Sequence, residues 1–175
     1  MRRNIVAILL FCFLGASNVQ AADDPKNIAG YGKTIWGMTP DEVVNAETPR
    51  AEKIEKPEKF KTGLGIVTIK EIQIGVTKFS AIFIFDEFGK KLQQVNLTSA
   101  EKKNPGVNAL SFSSVEKLLT EKYGPPTFKE GTRVVSWKFP KTSIDLTHLN
   151  IPGITSQVTV SYKPTTTSGE AARDL

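Results

Sequence analysis

One cysteine, one histidine and two methionines in 175 residues leave few of the side chains that carry thiol, metal or redox chemistry. Cys12 lies inside an apolar N-terminal run, so beyond that run the chain has no disulfide, no zinc–thiolate site and no cysteine nucleophile. With His148 as the lone histidine, a metal would rest on carboxylates, and Asp86-Glu87 lacks the alternating oxygen ligands of a calcium loop. Dense positive charge is missing too. Lysines alternate with glutamates, as in Lys53-Ile54-Glu55-Lys56, and a net charge of +5 is far from the basic stripe of a nucleic-acid binder. Long apolar runs are also absent. The longest, Ile5 to Leu14, has ten residues, against the roughly 20 that cross a bilayer.

That run has the setting of a cleavable export signal. Arg2 and Arg3 form a basic start, Gly15 ends the apolar stretch, and Val19-Gln20-Ala21 offers the small residues at which a signal peptidase cuts. The sequence predicts a leader over 1–21 and a periplasmic destination, with release from the cell as the alternative. Phe11 before Cys12 and Phe13-Leu14 after it do not make a lipidation site. Loss of the two arginines takes the formal charge from +5 to +3. About 154 residues would remain, enough for one domain that buries roughly two-thirds of its unfolded surface.

Residues 22–34 read as a flexible N-terminal arm. Thr39-Pro40-Asp41-Glu42 then carries a helix start: a capping threonine, proline at the first helical position and a glutamate that completes a capping box. A short helix over 41–46 follows, and 50–62 reads as a charged connector. Strands are predicted over 66–76, 79–85 and 92–97. In the second of these, Ala81, Phe83 and Phe85 share one face while Ile82 and Ile84 share the other, the pattern of a central strand covered on both sides. Asp86-Glu87-Phe88-Gly89 reads as the hairpin turn between the last two. Leu92 and Val95 fall out of strict alternation, which predicts a bulge.

Residues 101–106 read as a loop. A second helix is predicted from Ser113 or Ser114, with Val115, Leu118, Leu119 and Tyr123 at helical spacing and Gly124 as its cap. Strands over 133–139, 143–148 and 156–162 follow, and 165–175 reads as a disordered tail. The expected fold is α+β. Two helix-then-antiparallel-strands halves, 35–100 and 108–164, form one domain over 35–164, with helices packed on a mainly antiparallel sheet.

Few motifs carry chemistry. Asn27-Ile28-Ala29-Gly30-Tyr31-Gly32-Lys33-Thr34 ends like a phosphate-binding loop, but Asn27 replaces the first glycine and no strand precedes it. Ser143, Asp145 and His148 contain the residue types of a hydrolytic triad. On one strand, however, His148 shares a face with Ile144 and Leu146 while Ser143 and Asp145 share the other. Asp41, Glu42 and Glu47 have simpler roles at or near the first helix, and a carboxylate pair of the glycosidase kind leaves no local signature. No catalytic, cofactor-binding or metal-binding residue is assigned. Trp36 and Trp137 read as core anchors. Phe88 differs, because a hairpin tip beside Lys90 and Lys91 would expose it, and these three residues are the candidate protein-interaction site.

Gly37-Met38-Thr39-Pro40-Asp41-Glu42-Val43 resembles the capped-helix start of SmpA/OmlA-type (BamE-like) envelope proteins. Glu47-Thr48-Pro49 stands at that family's Gly-x-Pro turn, with Glu47 in place of glycine, and the stretch from Phe83 to Leu92 is similar to its strand–turn–strand. Tyr123-Gly124-Pro125-Pro126 after the second helix would be the corresponding turn of a second, tandem copy. The resemblance implies a non-enzymatic accessory factor of the envelope. Tandem units of related shape also occur in secreted enzyme inhibitors. The expected function is therefore a non-enzymatic exported module that binds another envelope or exported protein, without a cofactor. The alternative is a small-ligand-binding protein or hydrolase acting on a cell-wall or lipid component.

Overall fold

The computed structural model describes residues 27–165. The predicted leader, 1–21, and 166–175 of the predicted tail lie outside the described residues.

Among the described residues the first element is α1 (Pro40–Ala46), followed by β1 (Ala51–Phe60), β2 (Gly63–Ile74), β3 (Thr77–Phe85) and β4 (Leu92–Ser99). Then come α2 (Pro105–Tyr123), β5 (Phe128–Glu130), β6 (Val134–Lys138), β7 (Thr142–Ile151) and β8 (Thr155–Pro164). All strands of the described residues belong to one eight-stranded sheet in the order β1-β2-β3-β4-β8-β7-β6-β5, and every neighbouring pair is antiparallel.

This sheet corrects the expected architecture of two helix-then-strands halves. β4 pairs directly with β8, Val95 against Tyr162 through Thr98 against Thr159, so the strands make a single dominant layer. The helices do not organise separate halves. α1 has seven residues and buries only Val43. α2 lies across β7 and β8 and also reaches β2, while its Ser111 hydroxyl meets that of Thr77 at 2.5 Å at the start of β3.

Strand alternation gives the sheet two different faces. Val67, Phe83, Val95, Tyr162, Ile144 and Trp137 form one row across it, all buried on the helix side. The next row, Thr68, Ile82, Asn96, Ser161, Asp145 and Ser136, points to the open side. Ile84 is fully buried outside the main core cluster. Near it, Ile82 and Phe60 crowd over Gly65, where a side chain would collide with both. Coverage of β3 on its second face is therefore local rather than a second layer.

Several expected boundaries are corrected. The charged connector 50–62 is the edge strand β1, in which only Ala51 is buried. An edge strand that contributes so little to the core carries no apolar alternation to read. α2 begins at Pro105, not Ser113, with the Asn104 side chain accepting the Val107 N–H at 3.1 Å. Its first turns are held by polar contacts of Asn108 and Ser111, which hydrophobic spacing misses. β5 was not expected, and all three of its residues are exposed. Val76, read as the end of a strand, sits in the β2–β3 turn because Glu71, at φ 55°, shifts the register of β2. Residues 27–34, read as a loose arm, pack down: Ile28 and Tyr31 touch the core, and the Ile28 carbonyl accepts the Thr142 hydroxyl at 2.7 Å. The expected bulge is present at Gln93, between Leu92 and Gln94.

The β4–β8 join is reinforced by buried polar groups. The Asn108 amide donates to the Ser156 carbonyl at 2.7 Å and the Glu101 carbonyl at 3.1 Å, and Ser99 Oγ lies 3.1 Å from Asn108 Oδ1. Ser99 Oγ also accepts the Val158 N–H at 3.0 Å, where the backbone ladder has ended. Replacing Asn108→Leu orphans several of these groups and should lower unfolding free energy by about 2–3 kcal/mol in urea denaturation. Ser80→Ala, on the open face, should stay within about 0.5 kcal/mol. Equal midpoints for the two variants would show that the join does not depend on Asn108.

Candidate functional site

The hairpin that carries Phe88 is built by its own backbone. The Asp86 N–H donates to the Lys91 carbonyl at 2.9 Å, Gly89 donates back to Asp86 at 2.8 Å, and Asp86 Oδ1 accepts the Lys90 N–H at 2.8 Å. Gly89 adopts φ 68°, a conformation that a side chain would strain. The turn holds Phe88 outward, 73% exposed.

Phe88 borders a groove of about 700 Å³ between this turn and the β1–β2 turn. Phe60 and Leu64 add apolar surface, Lys59 and Lys61 stand on one wall, and Asp86 and Glu87 on the other. The β1–β2 turn is tied to the start of β4: the Gln93 amide donates to the Thr62 carbonyl, and the Thr62 hydroxyl lies 3.2 Å from Gln94 Oε1. Of the three candidate residues, Phe88 lines the groove. Lys90 and Lys91 are exposed on the same turn but do not line it. The β1 contribution escaped sequence reading because Phe60 lies in a charged stretch. Lys59-Phe60-Lys61 followed by Thr62-Gly63, an aromatic between cations ahead of a turn pair, was the available signal.

A second cavity, of about 520 Å³, lies between residues 27–35 and the end of α2, where Lys33, Lys122 and Tyr123 face it. Behind it sits the Glu47 carboxylate, buried at the end of α1. Glu47 Oε1 accepts the Lys33 N–H at 2.7 Å, and its other oxygen accepts the Arg50 guanidinium at 2.5 Å. Gly32, at φ 59°, passes so close that a side chain there would strike Glu47, and one at Gly30 would strike the Thr34 carbonyl. The glycines of the phosphate-loop-like segment thus serve the closure of this loop on Glu47. No helix opens at Thr34; the next begins at Pro40. Glu47 is the residue whose role the sequence did not disclose.

The remaining motif residues do not converge. Asp145 accepts the Ser136 hydroxyl at 2.8 Å and pairs with Lys163 at 2.9 Å on the open face. His148 Nε2 instead meets Ser156 Oγ at 3.0 Å, near Phe112, and burial draws its pKa below the ordinary histidine value. Among the described residues no group of three His, Cys, Asp or Glu side chains is placed to hold a metal. Nor is any described helix long and apolar enough to cross a membrane.

The sheet edges are closed to strand addition. β1 carries Glu52, Lys53, Glu55, Lys56, Glu58 and Lys59, includes Pro57, and breaks register between Lys53 and Glu58. β5 has three residues. Charge, proline, irregularity and shortness are the devices that keep an edge from pairing with another chain. No protein-family model, curated protein or solved structure matches the chain.

Glu47→Ala should cost about 2–3 kcal/mol, since it leaves a loop N–H without its acceptor and empties a buried site. Arg50→Ala should cost about as much, because Arg50 is the counter-charge of the fully buried Glu47 carboxylate and its loss leaves that charge unpaired. Urea midpoints for the pair check this, and an Arg50→Ala loss under about 1 kcal/mol would show that the buried Glu47 charge does not depend on its cation. Alkaline pH provides a second test. Burial, partly offset by Arg50 and reinforced by Glu47, pushes the Tyr31 pKa up to about 12. Tyr162 is also raised well above its ordinary value, chiefly by burial. Both phenols hold their protons longer in the folded chain, so stability is intact below about pH 10 and falls as pH rises from there through the folded values. Denaturation at about pH 8 and about pH 11 should show the loss, and Tyr31→Phe should reduce it.

Proposed function

We propose that the protein is a non-enzymatic, exported protein-binding module of the periplasm, an envelope accessory factor or an inhibitor of another exported protein. The observation that carries this reading is the groove at the Phe88 turn. There, an exposed aromatic lies beside Phe60 and Leu64, between a lysine wall and a carboxylate wall. An aromatic anchor at the centre of a charged rim is the usual composition of a protein-binding hot spot. Because the sheet edges resist strand addition, the partner is held through side chains. The matching occupant is a loop of another exported protein with one apolar residue for the Phe60–Phe88 gap and charges of both signs around it. The leader-like residues 1–21 and the resemblance of Gly37 to Val43 to envelope accessory factors support the same compartment and class.

A second reading, a small-ligand-binding protein or a hydrolase of cell-wall or lipid components, is favoured by the 520 Å³ cavity beside Lys33, Lys122 and Tyr123. Its size is in the ordinary range for small-molecule sites.

The two readings separate in one experiment. Crosslinking in intact envelope should yield one dominant exported protein. Its capture should fall at least about tenfold with Phe88→Ala or Phe60→Ala, the loss expected for an aromatic anchor, and persist with Leu118→Ala. Capture that ignores both phenylalanines sinks the groove proposal. Protection of Lys33 and Lys122 from acetylation by cell-wall or lipid fragments would then move the second reading ahead.

A further inference from the structure

The end of the sheet opposite Phe88 has a different character. β3 runs from Val76 at one end to the Phe88 turn at the other, so the β2–β3 and β7–β8 turns share the far end. Ser80, Thr98, Thr159 and Thr147 stand in one row across β3, β4, β8 and β7. Counted from that row, Val76 and Ile151 each lie four residues further out, so the two tips lie equally far along their strands at the same end of the sheet. At the row itself three strand spacings separate β3 from β7, roughly 14 Å.

Both tips are aliphatic and free of charge. Val76 is 87% exposed and Ile154 75%, and Ile151 is exposed beside it. No Asp, Glu, Lys or Arg occurs between Asp145 and Lys163, or between Glu71 and Lys78. In a chain that is 23% charged, two charge-free hairpin tips at one end set that end apart from the Phe88 end, whose turns carry Lys59, Lys61, Asp86, Glu87, Lys90 and Lys91. The loop from β4 to α2 fills the gap between the tips. Ala100 N–H donates to the Lys78 carbonyl at 2.8 Å, and Ser156 N–H donates to the Lys102 carbonyl at 2.8 Å. That loop presents Lys102 and Lys103, both exposed and without a carboxylate partner among the described residues. The adjoining Glu101 carboxylate is engaged by the Lys103 and Asn104 N–H groups, which hold its pKa below the ordinary value.

We infer that this end docks the protein on an anionic membrane surface, with Val76, Ile151 and Ile154 entering the boundary between headgroups and acyl chains and Lys102 and Lys103 meeting lipid phosphates. Aliphatic side chains on rigid turns gain from entering that boundary, and lysines beside them gain from negative headgroups. A protein partner would need an apolar hollow to receive each tip. A bilayer accepts both at once, because they stand at one end of the sheet and the cations lie between them. Docked this way, the Phe88 groove faces away from the lipid. The inference does not rest on the protein-binding reading.

Sedimentation with vesicles tests it, using the protein as the expressing cell processes it, with one N-terminus common to all variants. The wild type should partition onto phosphatidylglycerol–phosphatidylethanolamine vesicles and far less onto phosphatidylcholine vesicles. Val76→Asp and Ile154→Asp should each lower the partition about tenfold, and Lys102→Gln or Lys103→Gln roughly fivefold. Phe128→Asp, on the β5 edge, controls for a generic exposed apolar residue and should change nothing. Val76→Ser with Ile154→Ser, paired with an unchanged thermal midpoint, keeps the test independent of folding damage. The inference is overturned by absence of binding, by equal binding to phosphatidylcholine, or by indifference to the tip variants. It is also overturned if the tip variants abolish capture of an envelope protein while vesicle binding is nil, which would make this end a protein interface.

Discussion

The pairing of β4 with β8 is the constraint on which the rest of the molecule depends. Each set of four strands has one partly finished core face, and joining the two along this seam lets Val95 and Tyr162 complete a single apolar row from Val67 to Trp137. The seam is short, with register pairs only from Val95–Tyr162 to Thr98–Thr159. Beyond Thr98, side chains replace the backbone ladder: the Ser99 hydroxyl takes the Val158 N–H, and Asn108 reaches from the first turns of α2 to the Ser156 carbonyl. A buried amide with all its hydrogen bonds made is rigid and specific, whereas a half-satisfied one would cost more than an apolar residue. The polar start of α2 thus fixes where the helix lies as well as closing the sheet.

With the seam in place, one face of the sheet is committed to the core and the other to solvent. Side-chain size follows. Phenylalanines and Trp137 fill the helix side, while Ser, Thr and Asn dominate the open rows. Exposed apolar residues are then displaced to the ends of the strands, where turns carry residues that neither face needs. Phe88 and Phe60 line one groove at one end, from two different hairpins, and Val76 and Ile154 stand at the other.

What could be read from the sequence was what depends on local pattern. The capping box at Thr39 and Glu42 is present, with the Thr39 N–H donating to Glu42 at 2.8 Å, because it needs only residues three apart. β3 was visible because its core residues alternate, and Gly124 ends α2 at φ 84° as its position implied. Features set by distant partners were hidden. The charges of β1 describe its solvent exposure, not its pairing with β2. The strand order that joins β4 to β8 leaves no trace in either strand. Glu47 reads as an ordinary charged residue at a helix end until residues 30–34 fold over it. Of the candidate site, Phe88 was legible from its turn. Phe60 was not, since its approach depends on how two hairpins align.

The anchoring of the described segment at both ends has a topological consequence. The Ile28 carbonyl is bound by Thr142, and Thr165 donates its N–H to the Lys141 carbonyl and its hydroxyl to that of Phe139. Both ends of the described segment are therefore fastened where β6 turns into β7, at Phe139, Lys141 and Thr142, and that turn lies at the other extreme of β7 from Ile151. The body is in effect a closed loop fastened at a single point. A short linker could join its ends, and the chain could be reopened at Gly153 as a circular permutant with the same sheet.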